Sequence, residues 1–248
     1  LAPLRRPHGV AWLPDGRHVA VTIETDSLVA IVDVDSAAVV ARIPTGQAVS
    51  HMIRISPDGS RAYVANIGSG SVSMLDLAGR YVVRTTPTGA GAEGLALSPD
   101  GAELWVANRA ANTVTVLDAE TLTPRDTLPS ADFPIRVAFT PDGATALVTN
   151  ARSGELRLFD AVALEERATI AMPVDSALAR GTMLGAEFGR GTGVPIGVLV
   201  RPDGAVAFVA NANADLVTVV DLRERRVTGY LRTGREPDGL GWVAGVVE

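Results

Sequence analysis

Acid–base or metal chemistry in this chain has few residues to run through. There are three histidines, His8, His18 and His51, no cysteine, and 22 basic residues that are all arginine. These counts exclude disulfides, thiolate zinc sites, iron–sulfur clusters and cysteine nucleophiles. The absence of lysine excludes Schiff-base chemistry, a pyridoxal-phosphate anchor and a P-loop lysine. Two of the histidines occupy equivalent points in a recurring pattern. Immediately after the position, usually proline, that opens each recurrence stand His8, His51, Glu93, Ile135, Ile196 and Asp238. Two imidazoles and two carboxylates suit a divalent ion such as Zn²⁺, Mn²⁺ or Fe²⁺. The same groups suit a general acid–base pair, or a polar lining with a structural role. Arg6, Arg136 and Glu236 lie within two residues of these positions, where the arginines suit an anionic ligand. His18 follows a turn and is expected to be exposed, while Glu24-Thr25-Asp26 and the Asp33/Asp35 pair read as turn chemistry. No Gly-x-Ser-x-Gly elbow, His-Glu-x-x-His pair or EF-hand loop is present.

The elements that must position these residues follow from an internal repeat. Pro-Asp-Gly occurs at 14–16, 57–59, 99–101, 141–143 and 202–204, at spacings of 43, 42, 42 and 61 residues. Each unit carries a short apolar run before Pro-Asp-Gly, a second after it, a strictly alternating third and a looser fourth. Leu104-Trp105-Val106-Ala107-Asn108 and Thr113-Val114-Thr115-Val116-Leu117-Asp118 are examples of the second and third. Such runs read as strands, with Pro-Asp-Gly as the hairpin between the first two. Four antiparallel strands in about 42 residues is the period of a propeller blade. The expected repeats are 6–46, 47–89, 90–131, 132–192 and 193–234, with a partial copy over 235–248, all within a single β-propeller domain, 1–248.

Ala62-Tyr63-Val64-Ala65-Asn66, Leu104–Asn108, Ala146-Leu147-Val148-Thr149-Asn150 and Ala207-Phe208-Val209-Ala210-Asn211 resemble the signature of YVTN-family β-propeller repeats. That superfamily includes cytochrome d1-like and lactonase-like propellers. Each asparagine is followed ten residues later by Asp76, Asp118, Asp160 or Asp221; the first copy has Ile23 in the asparagine position but keeps Asp33. These side chains are expected to hold turns, and Tyr63, Trp105 and Phe208 to pack the blades. The absence of a Trp-Asp dipeptide makes WD40 repeats a poorer match.

The resemblance implies an all-β propeller with five complete blades plus one strand of a sixth, Pro237-Asp238-Gly239-Leu240-Gly241-Trp242, which aligns with Pro7-His8-Gly9-Val10-Ala11-Trp12. A lone strand leaves an unpaired edge, so roughly 30 preceding residues are expected to complete a six-bladed ring, with seven blades the runner-up. In such a ring the first strands line a central channel, and Asp238, His8, His51 and Glu93 are expected to be neighbours at its mouth. An insertion, 173–193, carries five glycines with Arg180 and Arg190 and is expected to be a lid or partner-binding loop on the same face.

Composition bounds the partners. The net charge is −6 and 47% of the residues are hydrophobic, so nothing electrostatic draws the chain to nucleic acid, and no apolar run is long enough for a membrane span. The expected partner is a protein or small-molecule ligand at the channel face. Three functions follow: a non-catalytic binding or scaffolding propeller of an exported bacterial protein, periplasmic or secreted; a lactonase- or lyase-like enzyme with a metal or acid–base site; and an accessory to an electron-transfer system. The last brings no covalent haem of its own, since Cys-x-x-Cys-His is missing.

Overall fold

A computed structural model describes residues 4–174 and 192–243. Among the described residues every regular element belongs to five antiparallel meanders of four strands, the blades of a β-propeller. The first blade is β1 (Pro7–Trp12), β2 (His18–Ile23), β3 (Leu28–Asp33) and β4 (Ala38–Pro44); the second is β5 (Ser50–Ile55), β6 (Arg61–Asn66), β7 (Ser71–Asp76) and β8 (Tyr81–Pro87). The third is β9 (Ala92–Leu97), β10 (Glu103–Asn108), β11 (Thr113–Asp118) and β12 (Pro124–Pro129). The fourth is β13 (Pro134–Phe139), β14 (Thr145–Asn150), β15 (Glu155–Asp160) and β16 (Glu165–Ala171), and the fifth β17 (Pro195–Val200), β18 (Val206–Asn211), β19 (Leu216–Asp221) and β20 (Arg226–Arg232). No helix among the described residues is long and apolar enough to cross a membrane.

The chain forms two compact units, Leu1–Pro129 with the first three blades and Ser130–Glu248 with the other two. Within each unit the blades stack through their apolar faces. Ile31 and Ile43 of the first blade pack with Ile53 and Leu75 of the second, whose Tyr63 and Met74 meet Leu95, Leu104 and Leu117 of the third. In the second unit Leu147, Leu156 and Leu158 meet Val209 and Val220. Burying each such side chain contributes about 1.5–3 kcal/mol. Trp105 is fully buried and Tyr63 nearly so, while Phe208 is half-buried and stacks on Trp242 with ring centroids 6.4 Å apart.

The repeated polar residues hold turns. Each Pro-Asp-Gly aspartate accepts a backbone N–H two residues on, as Asp58 does from Ser60, and each following glycine adopts a positive φ of 68–73°. Asp33, Asp76, Asp118, Asp160 and Asp221 accept N–H groups of the turns that follow them. The asparagines are fully buried. Asn66 donates to Ser73, Asn108 to Thr115 and Asn211 to Thr218, tying second strands to third strands.

Two expectations meet different outcomes here. Residues 237–243 form no strand, yet the Asp238 carbonyl lies where a Cβ on Gly197 would stand, as the His51 carbonyl does beside Gly9. The sixth copy therefore follows the path of a first strand without a ladder partner among the described residues. Of the insertion, 175–191 lies outside the described residues, and Arg180 and Arg190 with it; its flanks form a bridge between Pro173 and Thr192.

Candidate metal centre

One backbone device recurs at the head of every blade. The residue before each first strand has a positive φ: Arg6 at 55°, Val49 at 57°, Gly91 at 74°, Phe133 at 65° and Val194 at 55°. Its carbonyl accepts the N–H of the residue just past the second strand, as Arg6 does from Glu24 and Gly91 from Arg109. A β-branched residue in this region is strained, and recurrence in five blades marks the strain as architectural. The ladder then slips by a bulge, between Pro7 and Val10 in β1 and between Ser50 and Ile53 in β5. Bulges re-aim side chains, and these turn the His8 and His51 rings toward each other.

Tight approach of β1 to β5 brings the two rings together. A Cβ on Gly9 would sit 2.5 Å from the His51 carbonyl, so only glycine allows the contact. Buried Thr22 of β2 fastens it: its hydroxyl donates to the His51 carbonyl at 2.5 Å and accepts the Gly9 N–H at 2.8 Å. The exposed His8 ring then stacks on the His51 ring, centroids 3.5 Å apart and planes 27° apart.

His51, 7% exposed, is held between two buried carboxylates, Glu24 at 8% and Glu93 at 3%. Its Nδ1–H donates to Glu24 Oε1 at 2.5 Å, and its Nε2 lies 3.4 Å from Glu93 Oε1 without a hydrogen bond. Arg6 pairs with Glu24 at 3.1 Å and Arg109 with Glu93 at 2.5 Å, closing a chain Arg6–Glu24–His51–Glu93–Arg109 across three blades. One donor atom each from His8, Glu24 and His51 lie within 4.8 Å of one another, close enough for one metal ion to take all three after small shifts.

The first unit thus holds together three of the four expected residues, His8, His51 and Glu93, with Arg6 beside them. Asp238 belongs to the second unit, 3.6 Å from Arg136, whose side chain is nearly buried. Arg136 also donates to the Ile135 carbonyl, and the Glu236 backbone N–H is held by Asp215. His18 is half-buried and bonded to Asp15 at 2.6 Å, beside a 180 Å³ cavity that Leu77 and Arg80 also line. Glu24 and Arg109 were the residues sequence reasoning missed. Thr25 and Asp26 do serve the turn, bonding to Arg5, whereas Glu24 turns inward. Both missed residues follow the asparagine position, which Ile23 fills in the first blade; the other blades carry Ile67, Ala151 and Ala212 there. Charge confined to two of five copies was the available signal.

Fold and site together define a β-propeller with a compensated imidazole–carboxylate cluster at the heads of its first three blades. Residues 15–138, half of the chain, match the model of the cytochrome D1 heme domain family, and the chain belongs to that family. No curated protein matches it. Among solved structures, the hydrazine synthase of Kuenenia stuttgartiensis is similar over 95% of this chain and 89% of its own, with a TM-score of 0.67 and 17% identity, a likeness of fold.

The family name implies haem, whose iron takes four equatorial nitrogens from the macrocycle and protein donors only along its axis. Three donors gathered within 4.8 Å cannot lie on that axis. His51 is buried and its ring face is covered by His8, so it is not open to a planar macrocycle. Acting together, the three donors suit one bare cation; a haem would take only one of them, and the exposed His8 is the imidazole open to it.

Proposed function

We propose that this chain is a non-catalytic binding propeller, whose ligand enters beside the exposed His8 ring. The observation that carries this reading is the internal compensation of the Arg6–Glu24–His51–Glu93–Arg109 chain. Each buried carboxylate already has one arginine and one imidazole neighbour. A general base needs reach to a substrate proton, and here Glu24 is bonded to the His51 Nδ1 and Glu93 to Arg109. Such an arrangement holds side chains rigidly and suits capture over turnover. The names of the matched family, a haem domain, and of the similar structure, a hydrazine synthase, support placing the module in an electron-transfer setting.

Turnover assays test the reading against the lactonase- or lyase-like alternative. The expected result is no hydrolysis of lactones or aryl esters, and no elimination from uronate esters, above the buffer rate. A rate that falls tenfold or more in folded His8→Ala would overturn it.

A further inference from the structure

We infer that His8, Glu24 and His51 form a non-haem site for one divalent transition-metal ion of the Zn²⁺ class, with Glu93 and Arg109 as its outer shell. The inference deepens the binding reading by naming the ligand, and rests on it only in taking the cluster as a place of capture.

The donor set is two imidazoles and one carboxylate, which suits a borderline-soft divalent ion and leaves a fourth position open. Two of the donors, Glu24 and His51, are more than nine-tenths buried. His8 is exposed and supplies the entry route. The second, independent observation is the His51 ring's far side, where Nε2 is buried and makes no hydrogen bond. Nε2 faces Glu93 Oε1 at 3.4 Å, where a buried polar atom usually completes a hydrogen bond.

A metal on Nδ1 accounts for that atom. Binding displaces the Nδ1 proton to solvent, and the ring's remaining hydrogen must then sit on Nε2. Glu93 Oε1, 3.4 Å away, stands ready to accept it after a small closure. Arg109 anchors the other Glu93 oxygen. This is the carboxylate–histidine–metal arrangement by which an outer shell fixes ring orientation and strengthens the donor. Arg6, now on Glu24 Oε2, would keep that carboxylate's second oxygen occupied and leave Oε1 for the metal.

Calorimetric titration of the full chain with Zn²⁺, and with Co²⁺ for its visible ligand-field bands, tests this. One equivalent is expected to bind. His8→Ala, at an exposed position that leaves the fold intact, and Glu24→Gln are each expected to weaken binding at least 100-fold. Glu93→Gln is expected to weaken it about 10–100-fold while leaving the Co²⁺ bands in place, as an outer-shell role requires; Arg109→Gln repeats the test at a part-exposed residue should Glu93→Gln not fold. Absence of stoichiometric binding, or binding that survives His8→Ala but not His18→Ala, would overturn the metal site and leave the binding reading standing. Unchanged affinity in both outer-shell variants would overturn the role of Glu93. Turnover dependent on His8, by contrast, would count against the binding reading whether or not metal binds.

Discussion

The heads of the blades in the two units share one backbone design and carry opposite cargo. In the first unit Thr22 of β2 clasps the His51 carbonyl; in the second, Thr149 of β14 clasps the Ile196 carbonyl at 2.7 Å. Gly9 and Gly197 both stand against the neighbouring segment's carbonyl with no room for a Cβ. The bulges and positive-φ entries match as well. Yet the displayed residues are His8, His51 and Glu93 in one unit, and in the other Ile135 and Ile196, which join Ala151, Val194 and Ala212 in an apolar cluster. The bulge serves as a mounting point that the fold supplies in every blade, and side-chain chemistry alone decides what it does.

The largest expected effect separates the two cargoes. Glu93→Ala strips a buried carboxylate from His51 and Arg109, and losing one partner of a buried pair costs about 3–5 kcal/mol. Arg109 is about one-third exposed, which places the expectation at the low end. Ile196→Val, at the matching position of the second unit, should cost only about 0.5–1.5 kcal/mol. Urea midpoints read both, and equal losses would erase the distinction. Next is Gly9→Ala, which forces β1 away from β5 and should cost about 1–3 kcal/mol as an overpacked contact. Its particular signature is loss of the His8–His51 stack, seen as a ring-current change in the imidazole proton shifts.

The clasps come third. Thr149→Val removes one hydrogen bond, worth about 0.5–1.5 kcal/mol, whereas Thr22→Val also leaves the buried Gly9 N–H unpaired and should cost about 1–3 kcal/mol. A Thr149→Val loss as large as that of Thr22→Val would show that the Gly9 bond contributes nothing.

The smallest effect lies in the turns. The Arg17 guanidinium, followed by the Ser36 N–H, lowers the Asp33 carboxyl from 3.8 to about 2. A lowered folded-state value contributes stability above the unfolded value that is lost as pH falls through about 2. The gap in denaturant midpoint between the parent chain and Arg17→Leu should therefore be widest above about pH 4 and shrink towards pH 2. A gap that widens on acidification would contradict the pairing.

The five complete blades, their strand order and turn chemistry were legible in the sequence because each rests on local pattern: alternation, Pro-Asp-Gly, and an aspartate ten residues past the asparagine position. The His8–His51–Glu93 grouping was legible because it follows from register alone. Glu24 was not, since its inward turn depends on the Pro7–Ile23 pairing that sets it beside Arg6 and under His51. Nor could the repeat show that Asp238 meets Arg136, a contact made by side chains of two different copies.

Histidine-selective ¹⁵N–¹H correlation during zinc titration addresses the site most directly. The account predicts that the His8 and His51 ring nitrogens shift together, saturate at one equivalent, and leave His18 unmoved. A response from His18, or from one of the two stacked rings alone, would contradict it.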